Sequence, residues 1–379
     1  MIDSFEVGPY RPPSEAYSLL IRATRYCPWN RCKFCCMFKG NKFEYRSAEE
    51  IKQDIIAAKA IQDRIKGISW KSGYGSNGIR GAAASILNGP PNEAFRNVAL
   101  WLYAGGETAF LQDSNTLIMR TKELVEVLRF LKETLPSIDR ITSYGRSDTA
   151  ARKQVEELVE LHQAGLSRLH IGLETGYDPL LEYVDKGVTA AKHIAGGRKV
   201  VESGISLCEY VLLGLGGKDM WREHATQTAR VLSEIDPDFI RVRTLVVNAA
   251  MPLHAEIEAG NFIRATDEQI LEEEKLLIEN LECHSNYVSD HITNLLQELE
   301  GKLPQDKGRM LATIEAYQAL PPKERVNFRV GRRAGIYTHL DDLYEPDKRE
   351  IVERITDRLS QGSDQIDEKV MYALMERFI

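Results

Sequence analysis

Cys27, Cys32 and Cys35 are the residues of this chain whose type and spacing best suit chemistry. Three of the six cysteines fall within nine residues, Cys27-Pro28-Trp29-Asn30-Arg31-Cys32-Lys33-Phe34-Cys35, just after the apolar run Leu19-Leu20-Ile21. Cysteines this close on one loop can turn three thiolates toward one centre. Such a set can hold a [4Fe–4S] cluster and leave its fourth iron open to another ligand. A structural zinc site wants four ligands and a second ligand pair. Apart from neighbouring Cys36, only the isolated Cys208 and Cys283 remain. A disulfide framework fits less well, because contiguous Cys35 and Cys36 suit none and no signal peptide precedes them.

At this loop the sequence resembles the radical S-adenosylmethionine (SAM) superfamily, whose motif has three cysteines with an aromatic residue before the third, as Phe34 stands before Cys35. Four residues rather than the commoner three separate Cys27 from Cys32, a CX4CX2C spacing found in some subgroups. The resemblance implies Cys27, Cys32 and Cys35 as cluster ligands, SAM on the open iron and Phe34 near the adenine. A register using Cys32, Cys35 and Cys36 is the rival, and adjacent side chains diverge; Cys36 reads as a small apolar filler.

The chain has 379 residues, 43% hydrophobic and 28% charged, with a formal net charge of −7. That length allows one large domain with an appendage, or two domains. The charge balance does not resemble a nucleic-acid footprint, which would be basic and clustered; short basic clusters such as Arg329-Val330-Gly331-Arg332-Arg333 read as a solvated rim or a substrate-anion contact. No apolar run approaches the roughly 20 residues of a membrane span. A reduced, cytoplasmic compartment is expected, and it suits an oxygen-labile cluster.

The elements that must position the loop alternate. Residues 1–17 are a polar lead-in, and Leu19–Thr24 reads as the first strand. Ser47-Ala48-Glu49-Glu50 is a capping box opening a helix with Ile51, Ile55, Ala58, Ile61 and Ile65 on one face. Further strands are expected at Val98–Tyr103, Ile138–Tyr144, Leu169–Leu173, Leu207–Leu213 and Phe239–Val247, with helices between them. Helix-then-strand alternation means parallel strands with crossover helices. Six such strands fit the partial (β/α)6 TIM-like barrel that the resemblance implies, over residues 18–250; composition alone leaves a full barrel or an open sheet equally possible. A glycine-rich insertion occupies about 66–91, and its Gly73-Tyr74-Gly75-Ser76-Asn77-Gly78 matches GxGxxG by chance, lacking the strand and acidic residue of a dinucleotide site. Residues 251–379 read as a helical C-terminal region, with helices at Ile270–Leu281, Val288–Leu299, Met310–Leu320 and Arg349–Phe378, the last broken near Gly362.

Polar residues at strand ends are where a barrel keeps its site. Gly105-Gly106-Glu107 resembles the superfamily motif for the SAM amino group at the end of the second strand; the alternative is that Val98–Tyr103 is a helix and the glycines its cap. Ser143 and Arg146 close the third strand, where an arginine can pair with the SAM carboxylate. His170-Ile171-Gly172-Leu173-Glu174-Thr175-Gly176 resembles the "GLE[ST]G" segment of barrels related to anaerobic coproporphyrinogen oxidases, making Glu174 a SAM contact, and Lys186-Gly187 resembles the turn that follows. Gly214 and Gly216 resemble the motif at the adenine; Arg243 shares one face of the sixth strand with Arg241, and Leu245 beyond them could edge the adenine. His224 reads as a satisfied helix-surface residue. Asp290, His291, Asn294, Arg332 and Arg333 are candidate substrate contacts, against the plainer reading of a helix cap and a solvated rim.

The reading is an enzyme that cleaves SAM reductively at a [4Fe–4S] cluster, so that a 5′-deoxyadenosyl radical takes hydrogen from a small molecule. It would be an oxidoreductase, lyase or transferase working anaerobically with an electron donor such as flavodoxin or ferredoxin, and without nucleic acid or membrane. An iron–sulfur electron-transfer or cluster-carrier protein, and a zinc-stabilised binding protein, are the alternatives.

Overall fold

Leu19–Arg22 forms β1, three apolar residues and an arginine, all four buried, as a strand covered on both sides requires. In the computed structural model the described residues are 4–71, 78–87, 92–360 and 366–378; most of the Gly73–Gly78 match lies outside them. They fall into two compact units. The first comprises 1–30, 40–171 and 199–207, the second 31–39, 172–198 and 208–379.

In the first unit β1 leads to the short pair β2 (Thr24–Arg25) and β3 (Glu44–Tyr45). Helix α1 (Ala48–Lys71) opens on the expected capping box: the Glu50 amide donates to Ser47 Oγ at 3.2 Å, and Glu50 Oε2 accepts from the Ser47 amide at 2.8 Å. Its Ile51, Ile55, Ala58, Ile61 and Ile65 are all buried. The helix runs on to Lys71, into the stretch read as insertion, and α2 (Ile79–Leu87) follows.

The second expected strand is corrected here. Val98–Tyr103 is the end of α3 (Glu93–Tyr103), capped by Asn92, whose side chain accepts from the Phe95 amide. The true strand is β4 (Thr108–Gln112), parallel to β1 with Arg22 opposite Gln112. Then come α4 (Thr121–Thr134), β5 (Arg140–Gly145), α5 (Ser147–Arg152), α6 (Val155–Gln163) and β6 (Leu166–Glu174). Within the first unit β1, β4, β5 and β6 are joined in that order, all parallel. β6 ends in the second unit.

The second unit continues with α7 (Asp178–Tyr183), α8 (Ala190–Glu202), β7 (Ser206–Leu213), α9 (Trp221–Ile235) and β8 (Phe239–Thr244). After α10 (Pro252–Glu258) and α11 (Asp267–Asn280) come β9 (Asn286–Val288) and β10 (Glu300–Lys302). β8 pairs with β7 and β9 in parallel, and β10 pairs antiparallel with β9. The expected helix over Val288–Leu299 is therefore absent: its first residue ends a strand and the rest is a loop. The chain closes with α12 (Lys307–Gln318), α13 (Pro322–Arg333), α14 (Pro346–Ser360) and α15 (Glu368–Met375). Among the described residues no helix is long and apolar enough to cross a membrane.

Candidate functional site

The cysteine loop leaves the carboxyl end of β1. None of the six cysteines is in a disulfide; Cys27 and Cys35 are half-buried and Cys32 is buried. In the first unit, Cys27 Sγ accepts from the Asn30 amide at 3.3 Å. Tyr26, immediately before Cys27, is held by the residues that follow β4. Its amide donates to Asp113 Oδ2 at 2.8 Å, and its carbonyl accepts from Ser114 Oγ at 3.1 Å. Asp113 also takes Arg22 Nη2 at 2.7 Å and Nε at 3.0 Å. Burial pushes the Asp113 carboxyl above the usual carboxylate range, against the pull of Arg22.

Asp113 and Ser114 escaped sequence reasoning because the second strand was placed one element too early. With β4 recognised, the same strand-end rule finds them. It also removes Gly105, Gly106 and Glu107 from the site. They precede β4, at the end opposite the one from which the cysteine loop leaves, and Glu107 is exposed. The Gly105 and Gly106 amides bond back to Leu102 and Trp101 carbonyls, closing α3 as its cap.

Ser143 is buried within the first unit, its hydroxyl donating to the Leu111 carbonyl at 2.9 Å, so it has no surface for a ligand. Arg146 follows β5 as expected; its Nε donates to Asp148 at 3.1 Å and its guanidinium lies 5.6 Å from the Trp29 ring centre.

In the second unit Phe34 packs on an apolar cluster that includes Leu180, Val184, Leu215, Leu245, Val247 and Leu253. The Lys33 amide donates to the Val184 carbonyl at 2.8 Å and the Leu253 amide to the Lys33 carbonyl at 2.9 Å, so this half of the loop is fixed by its backbone. Asn248 Nδ2 lies 3.9 Å from Cys36 Sγ, a weak polar contact.

Glu174 ends β6 with φ of 63°. Its Oε1 accepts from Lys186 Nζ at 2.8 Å, and Lys186 stands 5.6 Å from the centre of the Phe34 ring. A Cβ on Gly172 would come within 2.1 Å of Glu174 Oε1, so only glycine leaves room for that carboxylate. Behind it, His224 is buried rather than on the surface. Its Nδ1 is 2.8 Å from Thr175 Oγ1, and its Nε2 is 3.2 Å from the Leu212 carbonyl and 3.3 Å from Glu273 Oε1. The same Glu273 oxygen accepts from the Gly214 amide at 2.9 Å. One imidazole thus ties the end of β6 to the end of β7.

Gly214 and Leu245 line a cavity of about 510 Å³ whose wall also includes Val247, Phe262, Ile270 and Tyr372. Gly216 does not line it; a Cβ there would lie 2.9 Å from the Met220 carbonyl, so glycine serves the start of α9. Arg264 lies 3.7 Å from the Tyr372 ring centre at the cavity wall.

The C-terminal candidates divide. Asp290 and His291 sit in the loop after β9, beside Arg241 and Arg243 of β8. Asn294 is buried, donating to Val242 and Ser289 carbonyls and accepting from the Thr244 amide; every polar atom is committed. Arg332 and Arg333 are buried as well. Arg332 donates to the Leu295, Tyr337, Ile292 and Asn294 carbonyls, and Arg333 to Asp267 and the Thr293 carbonyl. Asn294 and Arg332 are therefore structural, and Arg333, committed to Asp267 and the Thr293 carbonyl, reaches only the wall of the cavity beside Gly214. Sequence alone shows two arginines in a row but not that α13 buries that face.

Among the described residues no three Cys, His, Asp or Glu side chains converge as ligands of a single metal ion. Thiolates of a cluster each bind a different iron, a wider arrangement than that of one ion.

No family model matches the chain. A stretch of 133 residues is 22% identical to the tRNA uridine(34) acetyltransferase of Methanocaldococcus jannaschii, covering 34% of this chain and 23% of that protein. The chain thus spans under a quarter of that curated relative's length. Elp3 from the archaeon Methanocaldococcus infernus, lacking residues 1–46, superposes with a TM-score of 0.44 at 13% identity, over 63% of this chain and 61% of that one. Methylornithine synthase (PylB) gives 0.41 at 18% identity, over 81% and 85%. TsrM from Kitasatospora setae, a radical SAM methyltransferase with tryptophan and a SAM analogue bound, gives 0.43 at 17% identity, over 63% and 38%. Likeness at this level sets these proteins beside the chain without assigning it to their family.

Proposed function

We propose that this chain is a radical SAM enzyme. The observation that carries the reading is the loop at the carboxyl end of β1, where Cys27, Cys32 and Cys35 are thiols outside any disulfide and the Asn30 amide points at Cys27 Sγ. These three would hold a [4Fe–4S] cluster. When bound, the cluster and SAM supply a 5′-deoxyadenosyl radical that takes hydrogen from a small-molecule substrate.

The rest of the work belongs to the chain's own side chains. Phe34 and Leu245, packed in one apolar cluster, present a wall against which an adenine can lie, and the cavity beside Gly214 gives room for it. Glu174, with Oε2 left over after Lys186 takes Oε1, can accept from a ribose hydroxyl or an ammonium. Asp113 and Ser114 hold Tyr26 and so fix where the cysteine loop starts. An outside donor such as flavodoxin or ferredoxin would supply the electron, in a reduced compartment such as the cytoplasm. The net charge of −7 favours a small molecule over the tRNA named for the curated relative.

The test is anaerobic. The protein is reconstituted with iron and sulfide, reduced, given SAM and assayed for 5′-deoxyadenosine beside a variant with Cys27, Cys32 and Cys35 changed to alanine. Cysteine-dependent 5′-deoxyadenosine is the expected result. A cluster that transfers electrons without binding SAM would establish the electron-transfer alternative, and a colourless zinc protein the binding-protein alternative.

A further inference from the structure

Arg241 and Arg243 share one face of β8, being two residues apart on a strand. Tyr210 of β7 is in register with Arg241, and the Arg243 guanidinium lies 4.9 Å from the Tyr210 ring centre. A guanidinium stacked on an aromatic ring loses less freedom when it binds an anion. The loop after β9 brings Asp290 and His291 to the same place. Asp290 Oδ2 is 3.3 Å from Arg241 and neutralises it. Arg243 forms no ion pair or hydrogen bond among the described residues, although it is only half exposed.

The hydrogen bonds around His291 fix which nitrogen carries its proton. The Thr293 amide donates to Nδ1 at 3.4 Å, and the Thr293 hydroxyl is 2.7 Å from the same atom. A nitrogen that accepts from an amide bears no proton, so the neutral ring carries it on Nε2. Nε2 makes no hydrogen bond among the described residues. Burial, and then the positive Arg243, hold the His291 pKa down to about 4, so the ring is neutral at neutral pH. The charged groups acting on it are Arg243 of β8 and Asp290 beside it; Tyr210 of β7 faces the same Arg243 and Asp290, with Arg241 and Cys208 also near it. Burial raises the Tyr210 phenol, which stays protonated. The balance is one uncompensated cation beside one N–H donor.

We propose that Arg243 and the Nε2–H of His291 form a receptor for the anionic group, carboxylate or phosphate, of the substrate. This takes Arg243 away from SAM, where the family resemblance would place it, and reads the substrate as an acid. It also explains why Asp290 is needed: by occupying Arg241 it leaves a single site for one anion rather than a diffuse basic patch. The word "substrate" rests on the radical SAM reading; the receptor itself does not.

The test uses the full chain as purified, labelled with [13C]histidine, with the His291 signal among the eight histidines assigned by His291→Gln. Millimolar inorganic phosphate or acetate at pH 7 should shift that signal and raise its pKa, because an anion favours the imidazolium form. Arg243→Gln should weaken the anion by about tenfold or more, as loss of a charge-assisted contact does, while Arg243→Lys keeps part of it. An unmoved His291 signal in the folded protein overturns the receptor. Displacement of phosphate by SAM, or loss of SAM binding in Arg243→Gln, overturns the assignment to substrate and gives the site to the SAM carboxylate. Since the phosphate and acetate readings need no cluster, failure of the 5′-deoxyadenosine assay leaves the receptor standing, and the reverse holds too; the SAM readings use the reconstituted protein.

Discussion

His224 shows how much of the proposed site depends on a residue that touches no ligand. Its Nε2 faces the Leu212 carbonyl and the Glu273 carboxylate and therefore carries a proton, while Nδ1 accepts from threonine hydroxyls. Thr175, one link of this chain, follows Glu174; Gly214, at the other end, takes Glu273 on its amide. His224→Ala leaves Thr175, Glu273 and a carbonyl buried without their partner, at a cost of about 1–3 kcal/mol. The expected outcome is lower stability in denaturant together with weaker SAM binding, at unchanged iron content. SAM affinity equal to the parent's would show that the imidazole supports the core alone. Asp113 makes the matching case in the first unit. Asp113→Ala frees the Tyr26 amide and strips Arg22 of its closest carboxylate, so the cysteine loop should load less iron, read as iron per chain after anaerobic reconstitution. Iron content equal to the parent's would mean that the loop needs no such anchor.

At the scale of elements, α11, α13 and α15 meet in ion pairs rather than in apolar contact alone. Asp267, the first residue of α11, is buried between Arg329 and Arg333 of α13, and Arg329 reaches Glu368 of α15 at 2.6 Å. Burial penalises the Asp267 charge, but the two guanidiniums outweigh it and hold the carboxyl far below the usual range. Asp267→Asn leaves two buried cations short of an anion and should cost about 3–5 kcal/mol, measured by urea unfolding; a loss below about 1 kcal/mol would mean the arginines find water or Glu368 instead. None of this was legible beforehand. The Arg332-Arg333 pair looks like a rim, and the sequence does not say which side a helix buries. Five of the six expected strands stand where alternation puts them, because each is an apolar run between a helix and polar residues. Val98–Tyr103 misleads because six apolar residues in a row carry no period. The signal that separates the readings lies upstream: Asn92 as a cap, then Ala94, Val98, Trp101 and Leu102 at helical spacing. β9 was invisible for a different reason, being three residues long with a single buried side chain.

For the whole molecule, two groups of the second unit, buried Glu274 and half-buried His291, set opposite limits on the pH of greatest stability. Glu274 is buried with Tyr287 donating to it at 3.0 Å, and burial pushes its pKa up to about 8. Between the unfolded value of about 4.5 and 8, the native chain keeps a proton that the unfolded chain releases. Stability from this group is therefore greatest in acid and is lost as pH rises through that window. His291 works the other way. Its native pKa of about 4 lies below the unfolded 6.5, so the unfolded chain takes up the extra proton and stability falls as pH drops from 6.5 toward 4. Asp267, held ionised far below the usual range, adds to the acid limb. Stability should thus peak in mildly acid solution and decline on the alkaline side. Glu274→Gln keeps the shape and the acceptor for Tyr287 but cannot ionise, so its stability should hold between pH 6 and 8, where the parent's falls. Urea midpoints of the two proteins across that range decide it. Parallel curves would mean that Glu274 ionises in the folded chain as readily as in the unfolded one, with water or a neighbouring cation paying its desolvation, and that the alkaline decline has another source.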